Sequence, residues 1–121
     1  MLQYNLIDID CQSVFFDAEK SGIGVLTGGP FKRGYLTGRF NTIKDFPIED
    51  NYWEWNLRYN PQKVKSILAK VNLLKEKYGS EENLKRQALK FIDAKNRSGS
   101  IIVGFRKDKE IVENQNYLNL N

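Results

Sequence analysis

Two segments of the chain share a plan that restricts the folds open to it. GIGVLTGGPFKRGYLTGRF, residues 22–40, and SIIVGFRKDKEIVEN, residues 100–114, each begin as a short apolar strand and run into a glycine-bearing, basic turn. The second turn leads straight into a helix. Bare backbone N–H groups, a helix N-terminus and Arg or Lys side chains meet in such a turn, and together they hold phosphate. Residues 23–27 form a continuous apolar run, as expected of a strand buried on both faces. Strands of this kind are parallel and are joined through crossover helices.

The rest of the chain fits that frame. Residues 2–7 read as a strand. Asp8 or Asp10 is placed to cap a helix over about residues 11–20, with Val14, Phe15 and Ala18 on its inner face and Gly22 just past its end. Residues 40–60 show little periodicity and read as a long loop. Its aromatics, among them Phe40, Phe46, Tyr52, Trp53, Trp55 and Tyr59, are expected to pin it to the surface below. Asn60 and Pro61 begin a helix with Val64, Ile67, Leu68, Val71, Leu74 and Tyr78 as its buried stripe and Gly79 as its stop. Ser80 caps a second helix, with Leu84, Ala88, Phe91 and Ile92 inward. A third strand covers residues 100–103. Asp108 is expected to cap a last helix that points Ile111 and Val112 inward, and the tail NYLNLN to fray or dock elsewhere. Residues 1–121 thus read as a single α/β unit with a parallel sheet.

Composition removes several chemistries. There is no histidine, which excludes the commonest general acid/base, Ser/His and Cys/His dyads and most zinc sites. Cys11 is the only cysteine, so no internal disulfide forms, which suits a reducing cytoplasm. No apolar run reaches the ~18 residues of a membrane span. The net charge of +4 fits an anionic ligand. The Lys and Arg residues are spread along helices rather than clustered, which argues against nucleic acid.

YNLID, GIGVLTGGPFKRGYLTG and IIVGFRKDKEIVEN, in this order, resemble the aldo/keto reductases. Pro30, Phe31, Gly34, Leu36, Thr37 and Gly38 match a loop pattern of one branch of that family, and FPIEDNYW resembles the segment before its next helix. The resemblance implies a (β/α)₈ TIM barrel of which this chain is the C-terminal part, an incomplete barrel of strands six to eight with their helices. A complete barrel takes about 250 residues. Met1 then falls inside the sixth strand, as expected of a truncation, a split-gene product or an expression fragment. The family's catalytic Asp, Tyr, Lys and His lie in the N-terminal half, so no catalytic residue carries over, and the chain alone is expected to be inactive.

By resemblance the chain retains part of an NADP(H) cradle. Gly29, Pro30 and Phe31 lie along the pyrophosphate, with Gly34 in the same loop. Gly104, Phe105 and Arg106 lie near the adenosine 2′-phosphate, assisted by Lys107, and Glu113 and Asn114 hydrogen-bond the adenine. Several residues depart from the family pattern. Gly28 cannot stack on a nicotinamide ring, Gly29 lacks a hydroxyl common there, and Val103 replaces a proline. Glu110 sets a carboxylate where a phosphate is expected, which like-charge repulsion disfavours. Lys32, Arg33 and Arg39 read as solvated surface residues, and Tyr4 as a core residue.

The resemblance implies an N-terminal half-barrel as partner, or self-association through open strand edges. The isolated chain is expected to be marginally stable. Two other functions fit the same residues: a non-catalytic nucleotide- or phosphate-binding module, and a degenerate interaction fragment.

Overall fold

A computed structural model describes residues 1–119. Three short strands form one parallel sheet in the order β1-β2-β3: β1 (Leu2–Gln3), β2 (Leu26–Gly28) and β3 (Ser100–Ile102). Leu2, Thr27 and Ile101 stand in register across the sheet, as do Gln3, Gly28 and Ile102. Helix α1 (Ser13–Lys20) makes the crossover from β1 to β2. Four further helices follow: α2 (Asn51–Tyr59), α3 (Pro61–Tyr78), α4 (Glu81–Asp93) and α5 (Asp108–Tyr117). The parallel α/β architecture expected from the sequence is present.

The strands are shorter than the apolar runs suggest, and Asn5 explains the first. It is fully buried, and its Oδ1 accepts from the N–H groups of Ile7 (3.0 Å) and Asp8 (2.9 Å). That local turn withdraws the backbone from the sheet after Gln3. Asp8 does not cap α1, because it is engaged by Lys32 and Asn5 instead, and Gln12 takes the cap position without a side-chain bond.

The sheet is covered on one face only. There Tyr4 and Val25 pack with Phe15, Ala18 and Ile92, with Leu2, Phe91 and Ile101 against them. Tyr4 stacks on Phe91 at 5.2 Å and meets Phe15 edge-on at 4.8 Å, which makes it the core residue expected. On the other face Leu26 is 52% and Ile102 48% exposed. The expectation that residues 23–27 are buried on both faces is therefore corrected: among the described residues the second side is left open, and Ile23 is exposed as well.

A second core lies away from the sheet and holds the long connection. Tyr35, Leu36, Phe40, Phe46 and Trp53 pack against Val64, Leu68 and Val71 of α3 and Leu84 and Ala88 of α4. Phe46 and Trp53 lie 4.3 Å apart between ring centres, and Tyr35 and Trp53 4.9 Å. These aromatics do pin the segment, but Trp55 and Tyr59 stay exposed, their rings tilted against each other at 5.4 Å. The segment is also not all loop: α2 runs through it, capped by the Asp50 carboxylate accepting from the Tyr52 N–H at 2.9 Å.

The α3 and α4 stripes fall where periodicity puts them, with Gly79 left-handed after α3 and Ser80 capping α4. Asn60 sits at the start of α3 without a side-chain cap bond. Two expectations about orientation fail. Val14 is 40% exposed on α1, and Val112 is 56% exposed on α5 with Ile111 beside it. The side of α5 that meets α4 carries Glu110, Glu113, Asn114 and Tyr117, spaced for one helical face. Lys85 and Arg86 of α4 lie over the Tyr117 ring, so this contact is built from cations, a carboxylate and an aromatic rather than aliphatics. Tyr117 is buried, so the tail does not fray there; positions 120 and 121 lie outside the described residues.

Candidate functional site

Parallel strands send their connections out of one edge, and β2 and β3 do so side by side. After β2 the chain turns at Gly29, whose φ is +65° and where a Cβ would run into the Gln3 amide. Asn5 Nδ2 donates to the Gly29 carbonyl at 3.0 Å, and the Lys32 N–H donates to it at 3.0 Å. Lys32 and Arg33 both take left-handed backbone, with φ of 45° and 54°. The Lys32 ammonium reaches back to Asp8 at 2.6 Å. Burial raises the Asp8 carboxyl, but hydrogen bonds from Lys32 and Asn5, with the charges of Lys32 and Lys63, outweigh it and hold the group below its ordinary range. Lys32 is therefore a strut of this loop and not the solvated residue expected. Farther along, Lys75 donates from α3 to the Gly38 carbonyl at 2.7 Å and ties down the loop's end.

After β3 the chain passes through Gly104, Phe105 and Arg106 and enters α5. Gly104 lacks a positive φ and has open space where a Cβ would stand, so a glycine is not demanded there. Glu110 reaches back over the helix start, and its Oε2 accepts from the N–H groups of Arg106 (2.6 Å) and Lys107 (3.2 Å). This carboxylate, not Asp108, satisfies the two donors that lead into α5, those of Arg106 and Lys107. The bonds from Arg106 and then Lys107 hold the Glu110 pKa below its ordinary value.

Between these two exits lies a cleft of about 630 Å³. Its walls include Gly29, Pro30, Phe31 and Gly34 from the first exit. Gly104, Phe105 and Arg106 come from the second, and Glu113 and Asn114 from α5. Nine of the ten residues assigned to the cradle from the sequence thus share one cavity, although 75 positions separate Gly29 from Gly104; Lys107 does not line it.

The cleft also uses residues that the sequence reading passed over. Tyr52 and Trp53 belong to α2, and Lys85 to α4. Arg33 and Arg39, expected on the open surface, line it too: Arg33 lies 4.2 Å from the Tyr52 ring centre and Arg39 4.6 Å from that of Phe40. Asp50 before NYWEW was the available sign, a helix cap that brings an aromatic pair to the wall. Charge is balanced along the walls: Arg33, Arg39, Lys85 and Arg106 face Asp50, Glu81, Glu110 and Glu113. The balance is uneven in space. Arg106 lies 3.9 Å from Asp50 and Lys85 3.7 Å from Glu113, whereas Arg33 and Arg39 make no ion pair among the described residues.

The arrangement offers a bounded groove with aromatic walls, two guanidinium groups without an ion pair among the described residues, and polar groups of a helix. Such a groove accommodates an elongated, partly aromatic anion. No curated protein and no solved structure gives a significant match to the chain. The Aldo/keto reductase family model matches residues 1–121, the full length of the sequence, and the chain belongs to the aldo/keto reductase family.

Proposed function

We propose that the chain is the cofactor-cradling, C-terminal portion of an aldo/keto reductase barrel, its strands corresponding to the sixth, seventh and eighth, and that a nicotinamide adenine dinucleotide, NADP(H) in the family pattern, occupies the cleft. The observation that carries this reading is the convergence of these nine residues on one cavity at the carboxyl ends of parallel strands, where barrels of this class place their phosphate sites. The turn at Gly29–Phe31 brings backbone close to the pyrophosphate, and Arg33 and Arg39 offset its charge. Glu113 and Asn114 supply an acceptor and a donor for the adenine edge.

When bound, the nicotinamide supplies the hydride that reduces a carbonyl to an alcohol. The chain holds no histidine, and its Tyr4 is buried between Phe15 and Phe91, away from any proton-donating role. We assign proton donation to an N-terminal half-barrel that seats on the uncovered face of the sheet, over Met1, Leu26 and Ile102. A reducing cytoplasm is the compartment that suits this assembly.

The test is a titration of the full chain with NADPH and NADH, followed by nicotinamide fluorescence. Saturable change with either supports the cradle. No change with both at high micromolar protein overturns it. Carbonyl reduction that appears only after mixing with an N-terminal half-barrel supports the division of labour, and turnover by the chain alone overturns it.

A further inference from the structure

We propose that the cleft selects a dinucleotide whose adenosine ribose carries free hydroxyls over one bearing a 2′-phosphate, and that Glu110 makes the selection. The inference rests on the cofactor reading above and departs from the NADP(H) that the family pattern implies.

A phosphate at the start of α5 needs free N–H donors and unpaired cations. The two donors that precede the helix are engaged: Arg106 and Lys107 both give their backbone N–H to Glu110 Oε2, at 2.6 and 3.2 Å. These bonds keep Glu110 ionised at neutral pH. Two of the cations that line the cleft there face carboxylates, Arg106 facing Asp50 at 3.9 Å and Lys85 facing Glu113 at 3.7 Å. A 2′-phosphate entering the cleft here meets Asp50, Glu110 and Glu113 on its walls, while Lys107, whose charge also acts on Glu110, does not line the cleft.

Two other cations of the cleft behave differently. Arg33 and Arg39 lie over aromatic rings, with no carboxylate paired to either among the described residues. The pyrophosphate, present in both forms of the cofactor, goes to these two guanidinium groups, and the adenosine goes to α5. A ribose with free hydroxyls has two O–H donors, and a carboxylate is an acceptor only. Glu110 therefore gains bonds from a diol, while a phosphate in its place brings only further acceptors and negative charge.

The experiment titrates the full chain with NADH and NADPH at about 0.15 M salt, where surface charges more than about 8 Å apart are screened. NADH is expected to bind about tenfold or more tightly. The NADPH-to-NADH affinity ratio is expected to rise about tenfold in Glu110→Gln, which keeps an acceptor for the helix start and removes the charge. Glu110→Ser, checked for folding by circular dichroism, gives the same reading if the glutamine variant is unstable. NADPH binding as tightly as NADH in the native chain, or an unchanged ratio in both variants, overturns the selection and leaves the cradle standing. Binding of neither cofactor overturns the cradle itself, and the selection with it.

Discussion

Asn5→Asp changes one atom at the base of the cleft and almost nothing in shape. Asn5 is fully buried, so solvent does not dilute the effect. The Oδ1 bonds from the Ile7 and Asp8 N–H groups survive the substitution. The Nδ2 bonds do not: donation to Asp8 Oδ2 at 3.0 Å and to the Gly29 carbonyl at 3.0 Å both become oxygen–oxygen contacts. A bond to a carboxylate contributes roughly 1.5–3 kcal/mol and one to a backbone carbonyl about 1 kcal/mol, and an unpaired buried charge adds to the loss. We expect a loss of about 3–5 kcal/mol at neutral pH. Burial and the Asp8 charge both raise the pKa of the new carboxyl, so its penalty is greatest at high pH and shrinks as pH falls through that raised value. At about pH 5 the protonated carboxyl donates one bond again, and roughly half the loss is recovered. The Lys32 bond and charge still favour the ionised form of Asp8, although the Asn5 bond that also lowers its pKa is lost in the variant. Urea unfolding of native and variant chains at both pH values measures the difference. A loss under about 1 kcal/mol at neutral pH, or one that does not change with pH, refutes the reasoning.

Tyr35 is buried in the aromatic core, and its hydroxyl is pushed up to about 12 by burial and then by Tyr52. A raised folded-state pKa gives stability that is complete below the unfolded value of 10.0 and is lost as pH rises toward 12. Phenolate absorbance followed beside circular dichroism should show this ionisation arriving with unfolding; reversible titration of every tyrosine near 10 with the fold intact counts against it. At Gly99 a Cβ would run into the Val25 carbonyl and come within 2.6 Å of Asn96 Oδ1. Gly99→Ala is expected to lower stability by about 2–3 kcal/mol, because the obstacle is backbone that β3 itself uses. Thermal melting checks it, and a variant as stable as the native chain disproves it.

How much of this was legible in the sequence depended on which force dominated each stretch. Helices α3 and α4 were readable because burial of one apolar stripe decides them, and Pro61, Gly79 and Ser80 mark their ends. Helix α2 was hidden because only Trp53 of its residues is buried, so no stripe repeats. The Leu2–Ile7 run looks like one strand because nothing in its pattern shows that the Asn5 side chain redirects the backbone. Val14, Ile111 and Val112 misled for a plain reason: apolar residues are frequent on surfaces, and a helix face is chosen by its neighbour. Of the cleft, the glycine turns and α5 were visible in the motifs. Arg33, Arg39, Tyr52 and Lys85 were not, because their relation to the motifs exists only once α2 and α4 pack beside them.

The Asn96 amide joins segments that are far apart along the chain. Buried at 5% exposure, it donates to the Val25 carbonyl at 2.9 Å and the Ser100 carbonyl at 3.3 Å. Thr27 Oγ1 donates to the same Ser100 carbonyl across 73 positions, whereas β1 reaches β2 across 25, from Leu2 to Thr27. Loop-closure entropy grows only with the logarithm of length, so the wider closure costs about 1 kcal/mol more than the narrower one. The equilibrium therefore hardly registers the distance, but the rate does, since non-local pairing waits on the search that brings its ends together. The β1–α1–β2 unit closes over a short stretch, whereas the β2–β3 edge has the longer search, with α3 and α4 on its path. Joining the two turns of the cleft is therefore expected to be the slower closure.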